Sequence, residues 1–456
     1  MDTDLHSLER ELARLEADGP VRRYLVAFSG GADSHVLLHL MHRYRDSHAG
    51  VTLAAVHVHH GMHPEADAWA AHCEQICAAL DVPLTVCRVQ VDPAAGGPEA
   101  AARRARYAAF AGLLQPGDVL LLAHHQRDQA ETLLLQLLRG AGPDGLAAMP
   151  ISREWGPGRL ARPLRDWPHR RLRHYARTHG LAWVEDPANA SPAYDRNFLR
   201  HAVLPRLRGR WPAADTLLAR SAAHLAEAGA LLRERAEEDW QAARGPEDTL
   251  LLPVLATLSP ARQRNLLRYW VGGIHGLPLP DHRHLARIRH DVLGAAPDAM
   301  PLVHWHAQGG GVEVRRYRQR LYVGPRLAPH DPRRVYPWPR EDELLLPDLG
   351  ARLWREPGAG IAAAALREAP VSIRFRAGGE RCRPAGRGHR HALKKLYQEW
   401  GVPPWLRDRV PLVYVGEELA QVVGYCTCAP FAASAGEAAW QWRLAPAGGR
   451  SGADCD

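Results

Sequence analysis

Ser29-Gly30-Gly31-Ala32-Asp33-Ser34 stands directly behind the apolar run Tyr24-Leu25-Val26-Ala27-Phe28 and ahead of a helical stretch, His35 to about Arg43. A buried strand that breaks into a Ser/Gly loop and then a helix builds an anion cradle. Backbone N–H groups freed at the turn and at the helix N-terminus converge on one spot, and glycine lets a phosphate approach the main chain. The loop lacks a Gly-Lys-Ser/Thr ending, so no lysine is set over a terminal phosphate. Asp33 suits a bridging Mg²⁺ instead. Ser29, Gly30, Gly31, Ala32, Asp33 and Ser34 are therefore the candidate phosphate-binding residues, with Asp33 the candidate metal ligand. The plainer reading is an ordinary strand–helix turn, but most of these residues are turn or phosphate-binding types.

A second constellation, His124-His125-Gln126-Arg127-Asp128-Gln129-Ala130-Glu131, passes from a strand end into a helix. Asp128 and Glu131 share one face of its first turn. Carboxylates there complement the helix dipole; at the ligand edge of a sheet they can instead hold an ammonium group. Glu99, Arg103, Arg106 and Tyr107 form a helical stripe. It reads either as a surface ion pair or as an arginine reaching the carboxylate of a small substrate. The segments Glu185-Asp186-Pro187-Ala188-Asn189 and Asp195-Arg196-Asn197-Phe198-Leu199-Arg200 read as capped turns. Arg196 and Arg200 share a face suited to a phosphate backbone.

The elements that must position these groups alternate. Tyr24–Phe28, Val51–His59, Leu84–Val91 and Val119–Ala123 have strand character, and Ser34–Tyr44, Ala66–Leu80 and Glu99–Leu114 have helical character. This order predicts an α/β fold with a doubly wound parallel sheet. The Ser/Gly loop, His59-His60-Gly61 and His124-His125 all fall at strand carboxyl ends, where open α/β sheets bind ligands. They read as one site.

A Pro/Gly-rich patch, Met149–Pro163, interrupts the pattern. Ala213–Trp240 reads as a long amphipathic helix with Leu217, Leu218, Leu225, Leu231 and Leu232 on its apolar side, leading into helices at Ser259–Val271 and Asp281–Val292 and a hairpin at Val312–Val323. Residues 325–340 read as a linker. A small α+β module follows, with strands Val371–Arg376, Val410–Val415 and Leu419–Tyr425 and a helix at Ala392–Trp400. The expected domains are 1–212, 213–330 (helical) and 341–445, with a disordered tail, Gly448–Asp456. In the last module Arg374, Arg376, Arg381, Arg383, Arg387, Arg390, Lys394 and Lys395 crowd together beside Trp400 and Trp405. They form either a solvated basic face or a surface for nucleic-acid phosphates.

A chain of 456 residues with 46% hydrophobic and 24% charged residues has the composition of a multi-domain globular protein. It contains no apolar run long enough to span a membrane, and its acidic start is unlike a signal peptide. The seven cysteines include no Cys-x-x-Cys pair, so neither a disulfide framework nor a zinc site is indicated and a cytoplasmic location is expected. The net charge of +8 favours a polyanionic partner.

The Ser/Gly loop resembles the pyrophosphate loop (PP-loop) of ATP pyrophosphatases. Together with His-x-His-His-Gly (57–61), Glu-x-x-Ala-Arg-x-x-Arg-Tyr (99–107), Ala-His-His-x-x-Asp-Gln-x-Glu-Thr (123–132), Leu-Leu-Arg-Gly-x-Gly (137–142), Glu-Asp-Pro-x-Asn (185–189) and Arg-Asn-x-x-Arg (196–200), the chain resembles the tRNA(Ile)-lysidine synthetases. Arg-x-Gly-Gly-Glu (376–380), Lys-Lys-x-x-Gln-Glu (394–399) and Val-Pro-Pro-Trp-x-Arg (402–407) continue the likeness. The resemblance implies an enzyme that uses ATP and Mg²⁺ to join L-lysine to C2 of the wobble cytidine of a CAU-anticodon tRNA(Ile), through an adenylated cytidine. It implies catalytic roles for Asp33, His124, Asp128, Glu131 and Arg196, and a lysine pocket of Arg103, Asp128 and Glu131. Contacts to tRNA would come from Arg196, Arg200, Arg376, Lys394 and Lys395, in a monomer or homodimer. Arg127 departs from the family pattern, which usually has Asp there. A tRNA thiolase of the same superfamily is the rival reading; it needs paired cysteines at the active edge, whereas Cys73, Cys77 and Cys87 fall in an expected helix and strand.

Overall fold

The computed structural model describes residues 3–91, 97–187, 191, 194–296, 299–307, 310–339 and 342–447, without the side chains of 98 and 99. The expected disordered tail, Asn189 and the side chain of Glu99 lie outside the described residues. The chain forms two compact units, Met1–Arg235 and Ala236–Asp456.

In the first unit the elements run α1 (Thr3–Ala17), β1 (Arg23–Ala27), α2 (Ala32–Ser47), β2 (Leu53–His59), α3 (Ala66–Ala79), β3 (Leu84–Arg88), α4 (Pro98–Leu113), β4 (Asp118–Leu121), α5 (Gln126–Leu138), α6 (Pro143–Leu146), β5 (Ser152–Trp155), β6 (Gly158–Ala161) and α7 (His169–Thr178). Then α8 (Asp195–Phe198) passes through a wide turn, Leu199–Val203, into α9 (Leu204–Arg210), and α10 (Ala214–Ala243) follows, its last turns belonging to the second unit. The sheet order is β3-β2-β1-β4-β6-β5. All neighbours are parallel except β5, an antiparallel edge strand. Alternation along each strand explains the layering. Tyr24, Val26, Ala55, Val119 and Leu121 enter one core with α1, α2, α3 and α7, whereas Leu25, Val56, Leu120 and Leu160 enter another with Phe110 and Leu114. From β1 the chain winds outward to β2 and β3, then returns to β4 on the other side of β1. The switch point therefore lies between the carboxyl ends of β1 and β4, where a ligand crevice opens.

Three features were not read from the sequence. The N-terminal residues form a helix whose Leu8, Leu12 and Leu15 are buried. The Pro/Gly patch holds a hairpin, β5–β6, with Gly156 at φ 60° in its turn, and extends the sheet. Along α10, Leu217, Leu231 and Leu232 are exposed while Ala214, Ala222, Ala236 and Trp240 are buried, so the packed face is not the leucine face.

In the second unit, residues 250–325 carry a four-stranded antiparallel sheet as well as the expected helices. Its core includes Trp240, Leu266, Trp270, Val303, Val314 and Leu321. Residues 336–446 add five-, three- and two-stranded sheets and the helix Leu393–Glu399. Among the described residues no helix is long and apolar enough to cross a membrane.

Candidate functional site

The loop after β1 folds on itself through two serines. The Ser29 N–H donates to Ser34 Oγ at 3.2 Å, and Ser34 Oγ donates to the Gly31 carbonyl at 2.9 Å. The Ser29 hydroxyl, 3.0 Å from Ser34 Oγ, accepts from the Gly31 N–H at 3.4 Å. Gly30 has φ +80°, and a Cβ there would meet Val184 at 3.0 Å and Cys73 Sγ at 3.1 Å, so only glycine fits this corner. Gly31 is the N-cap of α2 and supplies no side-chain cap. The N–H groups of Ala32, Asp33 and Ser34 precede the first intrahelical bond, His35 N–H to the Gly31 carbonyl at 3.0 Å. This is the open, positive helix end that an anion needs.

Across the switch point α5 begins with a capping box. The His125 N–H donates to Asp128 Oδ2 at 2.9 Å, and the Arg127 N–H donates to His125 Nδ1 at 3.2 Å. With Nδ1 accepting, the ring proton sits on Nε2, which lies 3.4 Å from Asp33 Oδ2 and 3.5 Å from Asp128 Oδ2. His125 thus ties the two motifs together. Burial alone would raise the Asp33 carboxyl; the hydrogen bond from His125 outweighs it and holds Asp33 below its ordinary value. Asp33 Oδ1 is buried with no hydrogen-bond partner. It is a hard oxygen donor beside the phosphate cradle, which fits Mg²⁺ bridging to phosphate. Asp33, His125 and His169 also offer ligand atoms within 4.8 Å of one another. His125 fits a ligand role poorly, because metal on Nε2 would force a proton onto Nδ1, against the Arg127 N–H.

Asp128 and Glu131 are committed to arginines. Arg196 Nη2 lies 3.0 Å from Asp128 Oδ1 and Arg196 Nε 2.8 Å from Glu131 Oε2. Arg200 donates to Glu131 from Nε at 2.7 Å and from Nη2 at 2.9 Å. Glu131 is fully buried. Burial would raise the Asp128 carboxyl, but His125 and Arg196 hold it well below the usual carboxylate range. His124 is pushed down to about 3 by burial, against the pull of Asp128, so its ring is neutral, and its Nδ1 is buried without a partner. Arg103 is exposed, lies 4.8 Å over the Tyr107 ring, and its charge reaches His124.

The structure therefore gathers Ser29–Ser34, Asp33, His124, Asp128, Glu131, Arg196 and Arg200 at one sheet edge, with Arg103 near His124. Arg376, Lys394 and Lys395 belong to the second unit. There Arg374 is held by Glu417 at 2.7 Å and Arg387 by Glu399 at 2.9 Å. Lys394 and Lys395 are exposed with no ion-pair partner among the described residues, and Arg376 Nε is buried without one. His125, His169 and His60 have no individual role assigned by the sequence. The His-His doublet followed by Asp128 three residues on is a readable capping signal for His125; His169 has none, being brought in by tertiary packing.

Cys73 lies under the loop, 3.4 Å from His57 Nδ1, but burial pushes its thiol up to about 12. Such a thiol yields no thiolate near neutrality. Its neighbour in α3, Cys77, is likewise buried in the core.

Comparisons with known proteins agree along the chain. A PP-loop domain model matches residues 4–207, a TilS substrate binding domain model residues 250–322, and a TilS substrate C-terminal domain model residues 371–444. The tRNA(Ile)-lysidine synthase of Coxiella burnetii is 45% identical over 93% of this chain and 93% of its own length. That of Alkalilimnicola ehrlichii is 47% identical over 94% of this chain and 95% of its own. That of Methylococcus capsulatus is 46% identical over 89% and 92%. On this likeness, and with a PP-loop at the switch point of its sheet, the chain belongs to the tRNA(Ile)-lysidine synthase family.

Proposed function

We propose that this protein joins L-lysine to C2 of the wobble cytidine in a CAU-anticodon tRNA(Ile), consuming ATP and releasing AMP and pyrophosphate. The observation that carries the reading is the Asp33–His125 link, which sets the open N-terminus of α2 against the carboxylates of α5.

In the first step the cytidine C2 oxygen attacks the α-phosphorus. A P–O bond forms, the bond to the pyrophosphate oxygen breaks, and the electron pair leaves with pyrophosphate. Ser29–Ser34 and the first turn of α2 hold the phosphates. Asp33 would hold Mg²⁺, which when bound offsets phosphate charge.

In the second step the lysine ε-amine attacks C2, loses a proton, and the C2–O bond breaks to release AMP. Adenylation is what makes that oxygen a good leaving group. Neutral His124, with its free buried nitrogen, is the candidate to accept a hydrogen bond from the attacking amine and orient it, while the proton passes to a carboxylate of α5 once its arginine partner is displaced. Arg196 and Arg200 occupy Asp128 and Glu131 until a phosphate of the adenylated tRNA competes for them; the released carboxylates then grip the incoming ammonium. Arg103 receives the lysine carboxylate, and Arg376, Lys394 and Lys395 contact tRNA phosphates.

The test is to supply tRNA and ATP labelled at the α-phosphate while withholding lysine. Label should accumulate on the tRNA and be discharged as AMP when lysine is added. AMP formation that requires lysine but leaves the tRNA unlabelled would mean that lysine, not cytidine, is adenylated.

A further inference from the structure

The scheme above leaves the Arg127 guanidinium without work. Arg127 lies in the first turn of α5, one residue from Asp128 and two from His125. Its Nε is buried without a partner, and among the described residues its side chain has no hydrogen bond and no ion pair. The neighbouring cations are satisfied: Arg196 and Arg200 by Asp128 and Glu131, and Arg208 by both oxygens of Asp215 at 3.1 and 3.2 Å. Arg127 is the surplus charge.

Its position also works against the fold. A cation in the first turn opposes the positive end of the helix dipole. Burial disfavours its charged form, and so do the nearby Arg208 and Arg200, while Asp215 and Glu131 offset them only in part. A buried donor that its own fold leaves without a hydrogen bond or ion pair marks a group the ligand must complete. The missing ligand is an anion, and the surroundings say where it lies. The Arg127 N–H binds His125 Nδ1, His125 Nε2 meets Asp33 in the first turn of α2, and the His125 and His169 rings lie 5.0 Å apart, with the Arg127 charge felt at His169. The Arg127 guanidinium therefore lies within electrostatic reach of His125 and His169, the two rings beside Asp33 and the phosphate cradle.

We propose that Arg127 binds the terminal phosphates of ATP and holds the departing pyrophosphate, pairing with charge that grows on the leaving oxygens. This rests on the reading of the loop as a cradle for ATP.

The test is calorimetric titration of the full-length protein with inorganic pyrophosphate and Mg²⁺, and separately with the tRNA, for wild type and Arg127→Ala, Arg127→Lys and Arg127→Asp. Pyrophosphate affinity should fall about tenfold in Arg127→Ala and further in Arg127→Asp, with partial rescue by Lys and tRNA affinity nearly unchanged. Thermal unfolding run in parallel should be unaltered, since no hydrogen bond or ion pair of the fold depends on this guanidinium; if Ala unfolds the protein, the Lys variant carries the comparison. Pyrophosphate affinity that ignores Arg127 overturns this proposal alone, and so does a loss confined to tRNA binding, which would assign the group to a tRNA phosphate. A wild-type protein that binds no pyrophosphate and forms no AMP overturns the cradle reading and this proposal together.

Discussion

His125 Nε2 lies 3.4 Å from Asp33 Oδ2, and this contact joins the first turns of α2 and α5 across the switch point of the sheet. It leaves Asp33 Oδ1 as the free oxygen, buried and unpartnered beside the phosphate cradle. Asp33→Ala should therefore abolish AMP and pyrophosphate formation while sparing tRNA affinity. His125→Asn, which keeps an acceptor at the N-cap but shortens the reach to Asp33, should raise the Mg²⁺ concentration needed for half-maximal adenylation. Adenylation and metal requirement measured side by side decide it; wild-type pyrophosphate release by Asp33→Ala would contradict the assignment.

Glu131 is fully buried between Arg196 and Arg200. Removing it leaves two guanidinium groups facing a void, and breaking such a buried pair costs about 3–5 kcal/mol. Glu131→Ala should lower the denaturation midpoint of the first unit accordingly. Asp128→Asn should be milder in stability, allow adenylation and stall lysine transfer, so that adenylated tRNA accumulates. Failure of Asp128→Asn at adenylation itself would move this carboxylate to the ATP site.

The first unit should weaken in mild acid. Burial, with His179 and Arg43 nearby, pushes His39 down to about 4, and burial also lowers His35 and His57. These rings fold neutral, whereas in the unfolded chain they take up a proton near pH 6.5. Their stabilisation is present above about pH 6.5 and is lost as pH falls toward 4. Asp33 and Asp128, held low, act in the same direction below about pH 4. His125, raised by Asp128 and Asp33 against burial, acts oppositely. Denaturation midpoints should fall between pH 7.5 and 5, and His39→Gln, which keeps a partner for the Tyr175 hydroxyl, should flatten that slope. A midpoint that rises toward pH 5 would contradict this balance.

Much of the site was legible because strand ends and helix starts are local events. Ser29–Ser34 and His124–Glu131 each announce a strand-to-helix turn, and the topology rule then brings them to one edge. What stayed hidden depends on long separation in sequence. Arg196 and Glu131 are 65 residues apart, so the arginine read as a phosphate contact instead of a carboxylate partner. The strand Gly158–Ala161 hid in a patch rich in Gly and Pro, because a four-residue buried strand carries too little alternation to be seen. Helix α10 misled through its leucines, since its buried face carries alanines and Trp240 instead.

In the second unit Lys394 and Lys395 project from the helix Leu393–Glu399 with no ion-pair partner among the described residues, while Arg374 and Arg387 are neutralised by Glu417 and Glu399. These two lysines with Arg376, not the whole basic run, should set the salt dependence of tRNA binding. Replacing both by Ala should reduce the slope of log affinity against log salt by up to about 2, near 0.9 for each phosphate no longer neutralised. Replacing Arg374 and Arg387 should change it little. Equal slopes for wild type and the double lysine variant would reduce this face to a solvated surface.

The central claim is the identity of the bond made. The purified protein is incubated with bulk tRNA, Mg-ATP and each labelled amino acid in turn. Label should enter RNA from lysine alone, in one tRNA species with a CAU anticodon, with one AMP released per lysine joined. Incorporation of a different amino acid, or AMP release with no lysine on RNA, would contradict it.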